Sequence, residues 1–231
     1  MAAQGAKVVI SSRNLDACQL VVDSINALHG KDTALAVAAN ISAKADLQSL
    51  VDQTRRAFGG IHVLVCNAAS NPYYGPMGGI ADSQFRKIFE NNVLATHWLL
   101  TMVAPEMLER QQGSIIIISS IGGMIASTTI GAYNISKAAD LQLARNLAAE
   151  YGPRNVRVNC IAPGLVRTDF ARALWENPAT LKAMTEPVPL RRIGEPAEIA
   201  GAAIFLASNA SSFVTGQVIV VDGGASIAGG F

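Results

Sequence analysis

Short, almost uninterrupted apolar runs alternate with longer amphipathic stretches along nearly all of this 231-residue chain. A strand with one wet face alternates apolar and polar residues, whereas a run apolar throughout is buried on both faces. Lys7–Ser11, Thr33–Ala38, Ile61–Cys66, Ser114–Ser119, Val156–Ile161 and Gln217–Val221 read as strands, most of them of the second kind. A helix capped by Asn14 follows the first, with Leu15, Cys18, Val21, Val22, Ile25 and Leu28 along one side. Further helices are predicted over Ala43–Phe58, Asp82–Arg110 (with Pro105 as a kink or boundary), Gly131–Tyr151 and Glu195–Ser208. Residues 163–189 read as irregular or partly helical, and Asn67–Gly79 as a loop. This βαβ rhythm predicts an α/β fold, a doubly wound parallel sheet with helices on both faces.

Ligands in such sheets bind beyond the carboxyl ends of the strands. Asn67, Ser120 and Pro163–Gly164 are expected to face one crevice there, with Tyr133 early in the helix after the Ser120 strand. Tyr133 and Lys137 stand four apart, so on a helix they share a face. An unperturbed phenol, with a pKa of about 10, is a poor acid–base catalyst at neutral pH. A fixed ammonium nearby is expected to favour the phenolate and draw that value down. A serine hydroxyl at the strand end, Ser120, is placed to hold a substrate oxygen beside the phenol. The constellation points to proton transfer at an alcohol or carbonyl oxygen. The Tyr–Lys spacing alone arises often by chance; the agreement of the whole chain gives it meaning.

Composition removes several alternatives. Half of the residues are hydrophobic and 15% are charged, with a formal charge of +1. That balance gives no electrostatic case for nucleic acid or an anionic membrane surface. Cys18, Cys66 and Cys160 are widely spaced and odd in number, as for buried thiols in a reducing compartment. His29, His62 and His97 form no ligand-spaced cluster, so no metal site is expected. No apolar run is long enough to span a bilayer, and MAAQGAK lacks the order of a signal peptide, so a cytoplasmic protein is expected.

Several segments resemble the short-chain dehydrogenase/reductase family, and the resemblance runs from Gly5 to Gly224. Cys66-Asn67-Ala68-Ala69 stands where that family has N-N-A-G, and Asn92 where it has a helix asparagine. Ser120, Tyr133 and Lys137 fall on its catalytic serine, tyrosine and lysine. Pro163-Gly164, Val166 and Thr168 lie in a segment similar to P-G-x-x-x-T, which closes over the nicotinamide. Asn71–Gly75, Tyr133–Lys137 and Ala162–Arg172 are most similar to NADPH-dependent carbonyl and retinal reductases of the member-four type. Those animal proteins are peroxisomal; the Gly-Gly-Phe ending here lacks that address.

The resemblance implies a Rossmann-like oxidoreductase that interconverts a ketone or aldehyde and its alcohol. It makes Tyr133 the acid–base group, with Lys137 lowering its pKa and bonding the ribose. Ser120 would orient the carbonyl, and Asn92 would hold a water in a proton relay ending at Lys137. NADP is expected over NAD, because Ser12 and Arg13 end the first strand where NAD binders carry an acid. Asn40 stands at the adenine position, while Asn67 and Ala68 join the cofactor-binding set. Tyr73, Tyr74, Met77, Phe170, Leu174, Trp175 and Met184 flank the crevice and imply an apolar or aromatic substrate. A homotetramer or homodimer is implied as well.

One departure matters. The family opens with a strand, a T-G-x-x-x-G-x-G turn and a helix, whose amides hold the pyrophosphate. Met1–Gly5 resembles only the tail of that helix. The strand would lie between those ending at Ser11 and Cys66, so two unpaired sheet edges are expected. Two expectations follow: an amino-terminally longer natural protein in which Met1 is internal, or a short chain that forms a non-catalytic or cofactor-deficient oligomer. A dehydratase or epimerase of the extended branch is disfavoured by the short carboxyl-terminal segment.

Overall fold

The computed structural model describes residues 1–228; the Gly-Gly-Phe ending lies outside them. In chain order the elements are β1 Val8–Ser12, α1 Leu15–His29, β2 Ala34–Ala38, α2 Lys44–Phe58, β3 Val63–Cys66 and α3 Asp82–Phe89. They continue with α4 Ala95–Arg110, β4 Gly113–Ile118, α5 Gly131–Tyr151, β5 Val156–Pro163, α6 Arg172–Trp175, α7 Pro178–Thr185, α8 Pro196–Ala207 and β6 Val218–Val221. Every strand pair is parallel. Helices flank these parallel strands in a Rossmann-like arrangement.

The core follows from the period of two along the central strands. Ile115 and Ile117 of β4, with Val156, Val158 and Cys160 of β5, pack beneath Leu100, Val103 and Met107 of α4 and Leu141 and Ala144 of α5. Ile116 and Ile161 point the other way, onto Leu206 of α8, where Met1 and Val63 join them. This explains why β4 and β5 read as continuous apolar runs.

The other strands depart from that reading. The ladder is split into β1–β2 and β3–β4–β5–β6, and no described strand stands between β1 and β3. Both therefore keep one unpaired edge, as the departure near Met1 leads one to expect. The expectation of burial on both faces fails for β1, β3 and β6: Val8, Val9, Ile10, Val63, Leu64, Val218, Ile219 and Val221 are half-buried, and Val65 and Val220 are exposed. β1 and β3 each lack a neighbour on one edge and β6 ends its sheet, so their cover is partial.

Asn14 caps α1 as expected, accepting from the Ala17 amide. The predicted apolar stripe is corrected: Cys18 and Val22 are buried, but Leu15, Val21 and Leu28 are exposed, Leu28 to 74%. Here α1 packs mainly on the two narrow strands β1 and β2, which cover only part of its apolar side. Pro105 does not end a helix; it sits inside α4. Both Pro105 and Thr101, the residue whose carbonyl it leaves unbonded, face solvent. The break falls earlier, at a π-helical turn over Glu90–Leu94, a form that often marks functional sites. It turns Asn91 and Asn92 into the interior. No helix among the described residues is long and apolar enough to cross a membrane.

Candidate active site

The site is built on the carboxyl end of β4. Beyond Ile118 the chain runs through Ser119 and Ser120 into a tight turn, where Ser120 Oγ accepts from the Gly122 amide at 3.0 Å. That turn lies directly on α5. A Cβ at Gly123 would stand 2.7 Å from the Lys137 carbonyl carbon, and one at Gly122 would stand 2.3 Å from Asn134 Oδ1. Both positions need glycine for this close approach. The two glycines thus hold Ser120 against the helix that carries Tyr133.

Lys137 is tied to β4 at both its ends. Its carbonyl accepts from Ser119 Oγ at 2.8 Å, and its Nζ donates to the Ile118 carbonyl at 2.8 Å. Nζ also donates to Asp140 Oδ2 at 3.0 Å, and the two side chains are 3% and 1% exposed. Asp140 Oδ1 has no partner, although it is buried. The ammonium lies 5.8 Å from the centroid of the Tyr133 ring. On the other side, Phe170 faces that ring at 6.2 Å between centroids and is itself 61% exposed.

The electrostatics differ from expectation. The Tyr133 phenol is not drawn down; it is pushed up to about 12. Burial is the main cause, the Ser120 hydroxyl opposes it, and the Asp140 charge adds to it. The Lys137 ammonium is paired with Asp140 at 3.0 Å, so it arrives with its own counter-ion and leaves burial to decide the direction. Asp140 is also raised, to about 6, by burial, with Lys137 opposing. Burial likewise pushes the Cys66 and Cys160 thiols up to about 12.

Asn92 is 1% exposed and its side chain is fully engaged. Its Oδ1 accepts from the Ser70 amide at 2.8 Å, and its Nδ2 donates to the Ser70 carbonyl and to Ser136 Oγ. Ser136 in turn donates to the Tyr133 carbonyl at 2.7 Å. Asn92 therefore joins the loop after β3 to the Tyr133–Lys137 turn. Its own carbonyl accepts from Thr96 Oγ1.

The residues expected to face a cofactor follow the carboxyl ends of β1, β2, β3 and β5. Ser12 ends β1, and its hydroxyl bonds the Asn14 backbone; Arg13 is exposed beside it. Asn67 and Ala68 are exposed just after β3. Asn40 Oδ1 accepts from the Ser42 amide, in the turn before α2. Pro163 ends β5, and Gly164 passes so close to Asp222 that a Cβ would meet its Cα at 2.9 Å. Val166 is buried and bridges to Gly194. The Thr168 carbonyl accepts from Trp175 Nε1, which fastens the following short helices. The donor set suits a dinucleotide at both ends: hydroxyl and guanidinium beyond β1, ammonium and phenol beyond β4. Among the described residues no glycine-rich turn lies between them. Sequence reasoning missed Asp140, although its position three residues after Lys137 marked a possible helical ion pair.

A family model described as enoyl-(acyl carrier protein) reductase matches residues 1–226. Dehydrogenase/reductase SDR family member 4 of Bos taurus is 40% identical over 225 residues, covering 97% of this chain and 80% of the bovine protein. The 7alpha-hydroxysteroid dehydrogenase of Escherichia coli is 38% identical over 226 residues, 96% of this chain and 86% of that one. A 7 alpha-hydroxysteroid dehydrogenase solved with NADH and 7-oxo glycochenodeoxycholic acid superposes with a TM-score of 0.91 at 38% identity, covering 97% and 86%. A gluconate 5-dehydrogenase from Burkholderia cenocepacia, in complex with NADP and tartrate, gives 0.91 at 29% identity, covering 98% and 88%. Fold and likeness together define an oxidoreductase acting on CH–OH groups. The chain belongs to the short-chain dehydrogenase/reductase family, whose members here are NAD(P)-dependent.

Proposed function

We propose that this protein is an NADP-dependent reductase of apolar or aromatic ketones and aldehydes, working reversibly on the corresponding alcohols. One observation carries the reading: Ser120, Tyr133 and Lys137 meet at the carboxyl end of β4, with Phe170 facing the phenol. When bound, NADPH supplies a hydride for the carbonyl carbon. Tyr133 donates its phenolic proton to the carbonyl oxygen, which the Ser120 hydroxyl orients. An ammonium has three donors. Lys137 uses two on Ile118 and Asp140, which leaves one for a ribose hydroxyl.

The preference for NADP rests on Ser12 and Arg13, with no acid at the end of β1. Asn67, Ala68 and the Pro163–Thr168 segment would flank the nicotinamide half, and Asn40 the adenine. Asn92 positions the Tyr133–Lys137 turn through Ser136 and, in the relay reading, holds a water near Lys137. Phe170 with the aromatic and methionine residues of its loop supports an apolar substrate. The unpaired buried cysteines support a reducing, cytoplasmic setting. Assembly into a homodimer or homotetramer completes the reading.

Calorimetric titration with NADPH and NADH, followed by turnover of a panel of aromatic ketones, tests this. NADPH is expected to bind more tightly and to be oxidised only when a ketone is present. A second reading is favoured by the open edges of β1 and β3: an oligomer that keeps the site but loads no cofactor. Absence of binding heat with either nucleotide would select it.

A further inference from the structure

Asp140 is an acid where the packing has little room for one. It is 1% exposed, and its helix face meets β4 and β5. Its Oδ2 takes the Lys137 ammonium at 3.0 Å, its main-chain carbonyl accepts from Cys160 Sγ at 3.4 Å, and its Oδ1 is left without a partner. An unsatisfied buried carboxylate oxygen costs stability, and an apolar residue would fill the same space without that cost. The pair also holds the only charges buried beside the Tyr133 ring among the described residues.

We propose that Asp140 is a positioning residue that clamps the Lys137 ammonium to the end of β4 and, as its counter-ion, offsets the pull of that ammonium on the Tyr133 phenol. The inference rests on the acid–base role assigned to Tyr133 above. Without Asp140, an ammonium 5.8 Å from the ring acts on the phenol unopposed and favours the phenolate. With it, the pair is close to neutral and burial dominates. The other titratable groups in the same field are Cys66 on β3 and Cys160 on β5, with Arg145 on α5 acting on Cys160. Burial raises both thiols, so they stay neutral across the working range. β4 contributes only the Ile118 carbonyl to the pair. The functional result is an alkaline limb of alcohol oxidation that lies higher than it would with an unpaired ammonium beside the phenol.

The test combines a ligand-free readout with a kinetic one. Phenolate absorbance of the cofactor-free protein is titrated, with Tyr133→Phe subtracted to isolate the one phenol. Asp140→Asn is expected to lower the Tyr133 midpoint by about one pH unit or more, while Asp140→Glu keeps it high. The alkaline limb of alcohol oxidation should move down by the same amount in Asp140→Asn and not in Asp140→Glu. An unmoved midpoint in Asp140→Asn overturns the proposal. Failure of the Tyr133 reading itself shows differently, as unchanged turnover in Tyr133→Phe. Should Asp140→Asn not fold, ring-carbon NMR of tyrosine in the parent protein decides. The Tyr133 resonance should inflect near pH 6, where Asp140 ionises, and a flat trace overturns the idea.

Discussion

Replacing Lys137 by Met strands the Asp140 carboxylate in the interior. In the parent protein that carboxyl is already held at about 6 against an ordinary 3.8, even with the ammonium 3.0 Å away. Each pH unit between folded and unfolded values is worth about 1.4 kcal/mol. Ionising Asp140 in the parent therefore costs on the order of 3 kcal/mol above pH 6. A folded value raised above the unfolded one means that stability is full below about pH 4 and falls as pH rises through the folded value. Without Lys137 the folded value climbs further, because both influences that lower it are gone. Breaking a buried pair by removing one partner costs about 3–5 kcal/mol, and that is the loss expected for Lys137→Met at pH 8. At pH 5 the carboxyl is mostly protonated and the loss should shrink to about 1 kcal/mol or less, since no charge is stranded. Urea unfolding at the two pH values measures both differences. An equal loss at pH 5 and pH 8 would refute the claim that the stranded carboxylate is the cause.

Three other expectations follow from the same structure. Ile116→Ala empties a fully buried site between β4 and α8 and should cost about 2–5 kcal/mol in urea unfolding. Arg13→Ala should weaken NADPH about ten- to a hundredfold by calorimetry, the value of a charge-assisted contact, and leave NADH unchanged; equal loss for both nucleotides would reject Arg13 as the phosphate reader. Phe170→Ala removes the ring facing Tyr133 and should raise KM for an aromatic ketone by roughly two- to tenfold, with a smaller effect on kcat in steady-state assays.

Local rules carried much of the fold. The Asn14 cap, the span Gly131–Tyr151 and the parallel strands could be read directly, because each is set by residues close in sequence. What failed depended on neighbours far along the chain. The stripe of α1 was visible, but not that β1 and β2 alone are too narrow to cover Leu15, Val21 and Leu28. Pro105 signals a helix break by local sterics, yet its position on the solvent side of α4 makes the lost bond tolerable. The π-helical turn at Asn91–Asn92 has no local signature and is held by bonds to Ser70 and Ser136. In the site, the Tyr133–Lys137 spacing was legible but the field was not. The net effect of an ammonium depends on its counter-ion, and Asp140 declares itself as one only when its burial is known.

The most direct measurement is single-turnover reduction of an aromatic ketone by the parent protein and by Tyr133→Phe, each saturated with NADPH. The phenol's hydrogen-bonding neighbour is the Ser120 hydroxyl, a contact within the site that ties no distant elements together, so the substitution should leave folding intact. Hydride transfer in Tyr133→Phe is expected to slow by about a thousandfold. A rate within a fewfold of the parent's, with nucleotide equally bound, would contradict the assignment of Tyr133 as the proton donor.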